Sequence, residues 1–159
     1  LASSRNKALD KLERVDLNKL ISQQVNKFKQ EYKSIEWEPV LSCYAKISPI
    51  AIQRIIQNLL QNAIRYGDNK TIRIELSSTP EQVKFCIIDQ GSGIPEEYHN
   101  TVFQPFFRME ASRNANTGGS GLGLAIVSQL CEIYGWTIKL KTNDYKGCTF
   151  CLSINNNYL

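Results

Sequence analysis

At 159 residues the chain has the length of one domain, which can bury roughly two-thirds of the surface its unfolded state exposes. Its 42% hydrophobic and 21% charged residues mark a globular chain, and no apolar run approaches the ~18 residues of a membrane span. A net charge of +4 suits a polyanionic ligand but falls short of the dense basic patch of a nucleic-acid binder, so no nucleic-acid partner is expected.

From Leu9 to Phe28 apolar residues recur at threes and fours, a helical period that Asp16 interrupts as an N-cap. The pattern predicts a short helical remnant before Asp16 and a second helix from about Leu17. The weakly alternating "IEWEPVLSCYAKI" supplies one or two edge strands around Pro39. Ser48 and Pro49 then open a long helix through "IAIQRIIQNLLQNAIRY", which Gly67 stops.

"TIRIELSS" and "QVKFCIID" alternate as two strands of a hairpin, and "PEEYHNTVF" reads as a short helix. The polar, glycine-rich "FQPFFRMEASRNANTGGSG" is too long for an idle connector. "GLGLAIVSQLCEIYG" is a second strong helix, and "WTIKLKTN" with "GCTFCLSI" closes the chain as another hairpin. This order predicts a two-layer α/β sandwich whose mixed, mostly antiparallel sheet carries helices on one face.

Five cysteines, Cys43, Cys86, Cys131, Cys148 and Cys151, lie scattered in apolar segments, the usage of a reducing compartment. Cys148 and Cys151 form a C-x-x-C. On a strand, residues three apart point to opposite faces, so a structural role is expected rather than a zinc or redox site.

Three stretches carry chemistry. On the Ser48 helix, Asn58 and Asn62 stack at i, i+4, and asparagine is a poor helix former. They are either solvated polar residues or, in the functional reading, Asn62 offers its neutral amide oxygen to a hard cation such as Mg²⁺. In "IIDQGSGIP", Asp89 ends a strand and can accept from an exocyclic purine amine, while Gly91 and Gly93 let the backbone approach a flat ring. Alone, this is also an ordinary Asp–Gly turn. In "TGGSGLGLAI", Gly118, Gly119, Gly121 and Gly123 precede or open a helix, where N–H groups and the helix dipole favour phosphate. No Gly-Lys-Ser/Thr follows, so the stretch is not a Walker loop.

In this order "QNLLQNAIRYG", "DQGSGIP", "FQPFFR" and "GGSGLGLAI" resemble the asparagine box, first glycine box, phenylalanine box and second glycine box of sensor histidine kinase catalytic domains, over roughly residues 48–154. "FQPFFR" and "NAIRYG" are similar to the osmosensor branch of EnvZ-like kinases. The superfamily of type II topoisomerase, mismatch-repair and chaperone ATPases shares the asparagine helix and glycine boxes, and the phenylalanine box favours the kinase.

The resemblance implies the Bergerat fold, ATP and Mg²⁺ as cofactors, and transfer of the γ-phosphoryl group to a histidine on a separate dimerisation domain. By the same resemblance Asp89 reads adenine, Asn62 ligates magnesium as a catalytic residue, and Asn58 contacts the phosphate side. Tyr66 walls the base or else packs in the core, Arg65 lies near phosphate, and Ile94 belongs to the adenine turn with Gly91 and Gly93. Arg108 is a catalytic and Arg113 a binding contact from a nucleotide lid over Arg108 to Gly119. Gly119, Ser120, Gly121, Leu122 and Gly123 receive the triphosphate, and Phe103, Phe106 and Phe107 seat the lid.

His99, the single histidine, lies downstream of the adenine box and is followed by Asn100, so it reads as a surface-helix residue and not the phosphoacceptor. The start at Leu1 suggests a piece of a longer protein, with residues 1–15 as the tail of the dimerisation helix and 16–159 as the catalytic domain. Implied partners are that domain of the same kinase and, through it, a response regulator, in the cytoplasmic part of a bacterial inner-membrane sensor. Two other classes share the boxes: a nucleotide-binding module that supports phosphatase activity, and a stand-alone serine kinase of the anti-sigma type, which has no need of a dimerisation helix.

Overall fold

The computed structural model describes residues 12–107 and 121–155. Strand β1 (Glu13–Asp16) leads directly into helix α1 (Leu17–Phe28). Asp16 caps that helix, its carboxylate accepting from the Lys19 N–H at 3.2 Å. Residues 13–15 were expected to be helical; they are extended and pair antiparallel with β3 (Tyr44–Ile47), after β2 (Ile35–Trp37). A partner strand and the burial of Val15 outweigh the helical spacing here.

Helix α2 (Pro49–Tyr66) begins as its sequence prescribes. Ser48 is the N-cap, its hydroxyl accepting from the Ala51 N–H at 3.2 Å, and Pro49 fills the first turn. Its buried stripe of Ile52, Ile55, Ile56, Leu59, Leu60 and Ala63 repeats at threes and fours, so the opposite face is left to polar residues.

The hairpin of β4 (Ile72–Ser78) and β5 (Gln82–Ile88) is antiparallel as expected, and so is that of β6 (Thr137–Thr142) and β7 (Cys148–Asn155). They join in one five-stranded sheet of order β2-β4-β5-β7-β6, in which β2 alone is parallel to its neighbour. Alternation sends Val83, Phe85 and Ile87 of β5, with Phe150, Leu152 and Ile154 of β7, into the core under the helices. Helix α3 (Gly123–Tyr134) is the third helix, closed by Gly135 in the left-handed conformation at φ 71°. The expected two-layer architecture is therefore the observed one.

Between β5 and α3 the expected short helix is instead two turns of 3₁₀ helix, Glu96–Tyr98 and Thr101–Phe103. Too few residues follow Pro95 to establish a cooperative α-helix. His99 ties this stretch back: its Nε2 donates to the Ile94 carbonyl at 2.8 Å. Cys148 and Cys151 point to opposite faces of β7 as expected, Cys148 to the core face and Cys151 to the other. The reducing-compartment expectation did not anticipate that Cys151 is bonded to Cys86 across the β5–β7 ladder.

Candidate nucleotide site

The open ends of β5 and β7, the polar face of α2 and the start of α3 enclose a cleft of about 190 Å³. It gathers Asn58, Asn62, Arg65 and Tyr66 from α2, Asp89, Gly93 and Ile94 from the segment after β5, and Gly121 and Gly123 at the start of α3. Sequence stretches as far apart as Asn58 and Cys148 thus meet because the sheet order places β5 beside β7 and beneath α2.

Asp89 is the organising residue, only 4% exposed. Its backbone extends the ladder, with the Asp89 N–H donating to the Cys148 carbonyl at 2.9 Å. Its Oδ1 accepts twice, from the Gly91 N–H and the Cys148 N–H, both at 3.0 Å. Among the described residues Oδ2 has no partner. Burial raises the Asp89 pKa above the usual carboxylate value; the hydrogen bonds from Cys148 and Gly91 oppose this, and the charge of Asp68 adds to it. A buried carboxylate with one oxygen saturated and the other open is an acceptor waiting for a donor.

Of the two glycines after Asp89, Gly91 is placed for a reason other than the one expected. A Cβ on Gly91 would run into the Tyr66 carbonyl at the end of α2, so this glycine lets the turn pack on the helix and does not line the cleft. Gly93 does line it and holds φ 81°, a left-handed value that side chains disfavour.

On α2, Asn58 donates from Nδ2 to the Arg54 carbonyl at 3.0 Å, one turn back. Its Oδ1 lies where it would be 3.2 Å from a Cβ on Gly123, so Asn58 stands at the junction of the two helices. Asn62, half-buried one turn along, makes no side-chain hydrogen bond among the described residues. Tyr66 is also half-buried and faces the cleft, which favours the wall over the core, while Arg65 is exposed at its rim.

Among the described residues no side chain caps α3, and the N–H groups of its first turn point out of the helix beside Gly121 and Gly123. Leu122, the N-cap residue, does not line the cleft. The phenylalanine box divides: Phe103 packs edge-on to Phe150 at 6.1 Å between centroids, and Phe107 lies 5.6 Å from Tyr98 and lines the cleft. Phe106 is 71% exposed at φ 64°, and its N–H donates to the Gly121 carbonyl, joining the two edges of the glycine-rich stretch; the lid it was expected to seat lies almost wholly outside the described residues. Arg108, Arg113, Gly119 and Ser120, with most of the expected lid, lie outside the described residues.

Two contributors escape the sequence reading. Cys148 lines the cleft and bonds Asp89 through both its N–H and its carbonyl. Asn143, at the turn between β6 and β7, donates from Nδ2 to the Asp89 carbonyl at 2.8 Å, while its Oδ1 accepts from the Tyr145 and Gly147 N–H groups. The signal was present in "NDYKG", because asparagine closes such turns with its own side chain, but the turn's neighbour across the sheet could not be read.

Among the described residues no helix is long and apolar enough to cross a membrane, and no cluster of three or more histidine, cysteine, aspartate or glutamate side chains could hold a metal. Residues 47–157 match the family model described as histidine kinase-, DNA gyrase B- and HSP90-like ATPase. A signal transduction histidine-protein kinase of Staphylococcus aureus, ArlS, is 31% identical over 140 residues, which cover 86% of this chain and 31% of the relative. The chain therefore spans about a third of that relative's length. Among solved structures, the mycobacterial sensor histidine kinase MprB is 27% identical with a TM-score of 0.79, covering 90% of this chain and 97% of the other. The histidine kinase domain of the E. coli osmosensor EnvZ is 29% identical with a TM-score of 0.69, covering 92% and 90%. With its cleft built from the asparagine helix, the buried aspartate and the glycine-opened helix, and with the family model spanning most of its length, the chain belongs to the histidine kinase-, DNA gyrase B- and HSP90-like ATPases.

Proposed function

We propose that this chain is the ATP-binding catalytic domain of a two-component sensor histidine kinase and transfers the γ-phosphoryl group of ATP to a histidine on a separate dimerisation domain. The observation that carries the reading is the open Oδ2 of buried Asp89, facing the same cleft as Asn62 and the uncapped start of α3. The purine amine donates to Oδ2, and Tyr66 lies against the base. The triphosphate runs toward the first-turn N–H groups of α3, with Arg65 at the rim.

The donor set fits a magnesium ion held chiefly by phosphate oxygens and water. Asn62 contributes a neutral oxygen with no competing partner among the described residues, and no carboxylate cage is required. When bound, the ion neutralises phosphate charge during transfer. Arg108 and Arg113 are the proposed cations of a lid closing over the phosphates.

His99 is no acceptor on this reading, since its Nε2 donates to the Ile94 carbonyl within the nucleotide turn. The acceptor domain would precede β1, with a response regulator as its onward partner. The chain's bacterial relatives bear the names of sensor kinases, which supports a place in the cytoplasmic part of such a sensor.

The test is labelling with γ-³²P-ATP. The chain alone should acquire no acid-labile phosphohistidine; adding matching dimerisation helices in trans should label those helices, slowly for want of a tether. His99→Ala should change neither result. Self-labelling that His99→Ala abolishes would overturn the division of labour, and binding without transfer to supplied helices would favour the phosphatase-supporting module.

A further inference from the structure

The face of the sheet away from the helices carries a row that nucleotide binding does not use. Register places Glu75 of β4, Cys86 of β5, Cys151 of β7 and Lys139 of β6 directly opposite one another across four strands. The Cys86 and Cys151 Cα atoms are 4.2 Å apart, the close spacing of a non-hydrogen-bonded antiparallel pair. Cys86 is itself buried at 8% exposure and Cys151 is partly exposed; Cys43, Cys131 and Cys148 are buried and unpaired, and burial pushes Cys131 and Cys148 up to about 12. Thiol chemistry is thus concentrated at one pair.

We propose that Cys86 and Cys151 form a reversible thiol–disulfide site on the open sheet face, exchanging with low-molecular-weight disulfides of the glutathione class. Three features favour exchange over a permanent cross-link. Cys151 is partly exposed on its strand, so a small reagent can reach its sulfur. Lys139 stands directly opposite Cys151 in the β6–β7 register, a basic residue on the same sheet face, as Glu75 stands opposite Cys86. The seven-pair β5–β7 ladder fixes the register independently of sulfur, so both sulfurs stay within reach whether bonded or not.

The oxidation balances. The Cys151 thiolate attacks glutathione disulfide, forming a mixed disulfide and releasing one glutathione thiolate. The Cys86 thiolate then attacks the Cys151 sulfur, closing the cross-strand bond and releasing the second glutathione. Two protein thiols are oxidised and one small disulfide is reduced to two thiols, the two protons given up by Cys86 and Cys151 ending on the two glutathione sulfurs.

The site is coupled to the cleft by position. Cys86 lies three residues before Asp89 and Cys151 three residues after Cys148, the two residues whose mutual hydrogen bonds close the cleft floor. The bond clamps the strand ends that hold Asp89, and its reduction loosens them.

The folded chain is equilibrated in glutathione buffers of graded reduced-to-oxidised ratio, alkylated without denaturant and mapped by mass spectrometry, with melting and amide exchange followed in parallel. Cys86 and Cys151 should pass together from bonded to alkylated while the other three cysteines stay unlabelled. The oxidised form should melt higher and protect the Asp89 and Cys148 amides better, differences that Cys86→Ser, Cys151→Ser and the double variant should lack. Because parent is compared with parent, the first result does not depend on any variant folding. A bond that yields only when the chain unfolds, a pair that never closes in oxidised glutathione, or equal amide protection in both forms would overturn the proposal.

Discussion

At the scale of single residues, Asp89 is placed against its own solvation. Because folding raises its pKa, its contribution to stability is present in full below the unfolded value and is lost as pH rises through the folded value. Asp89→Asn should accordingly gain stability relative to the parent as pH climbs through that window, measured by urea unfolding at a series of pH values; a constant difference would show that the carboxylate is not desolvated. Binding runs the other way. With Oδ1 occupied by two N–H groups, a proton added on acidification goes to Oδ2 and sets donor against donor, so ATP affinity should begin to fall above the ordinary carboxylate range. Asn62 acts through a different partner. Asn62→Ala should weaken ATP binding strongly in magnesium and little in EDTA, by isothermal titration, and equal loss in both would remove the metal role.

At the scale of elements, most of the fold is legible because the signals are local. Ser48 with Pro49 opens α2, Asp16 caps α1, and the alternation of β4, β5, β6 and β7 is plain in the chain. What could not be read depends on neighbours distant in sequence. Residues 13–15 have helical spacing but find β3 to pair with, and Cys86 finds Cys151 only once β5 lies beside β7. Asn58, Asn62 and Asp89 were legible because each residue type is costly where it stands; Asn143 looked like any turn asparagine. Its role gives a prediction for the β6–β7 hairpin. Asn143→Ala removes the donor to the Asp89 carbonyl and the acceptor of two turn N–H groups, at a cost of about 1–3 kcal/mol in unfolding free energy. ATP should bind more weakly as Asp89 shifts, whereas a variant that bound ATP like the parent would reduce Asn143 to a turn former.

At the scale of the whole molecule, the sheet order carries function from one end of the chain to the other. It sets the end of β5 under the end of α2 and against the β6–β7 turn, so that a carboxylate, two amides and a helix start share one cleft though no two boxes are contiguous. The central claim is that this cleft reads adenine through one oxygen of Asp89 and directs the phosphates toward Asn62 and α3. It is tested most directly by titrating the chain and its Asp89→Asn variant with ATP and with inosine triphosphate, whose base has a carbonyl in place of the amine. The parent should prefer ATP, and the variant should lose about 5- to 150-fold in ATP affinity, the equivalent of about 1–3 kcal/mol, while inosine triphosphate changes little. Equal affinity of the parent for the two nucleotides, or unchanged ATP binding in Asp89→Asn, would contradict it.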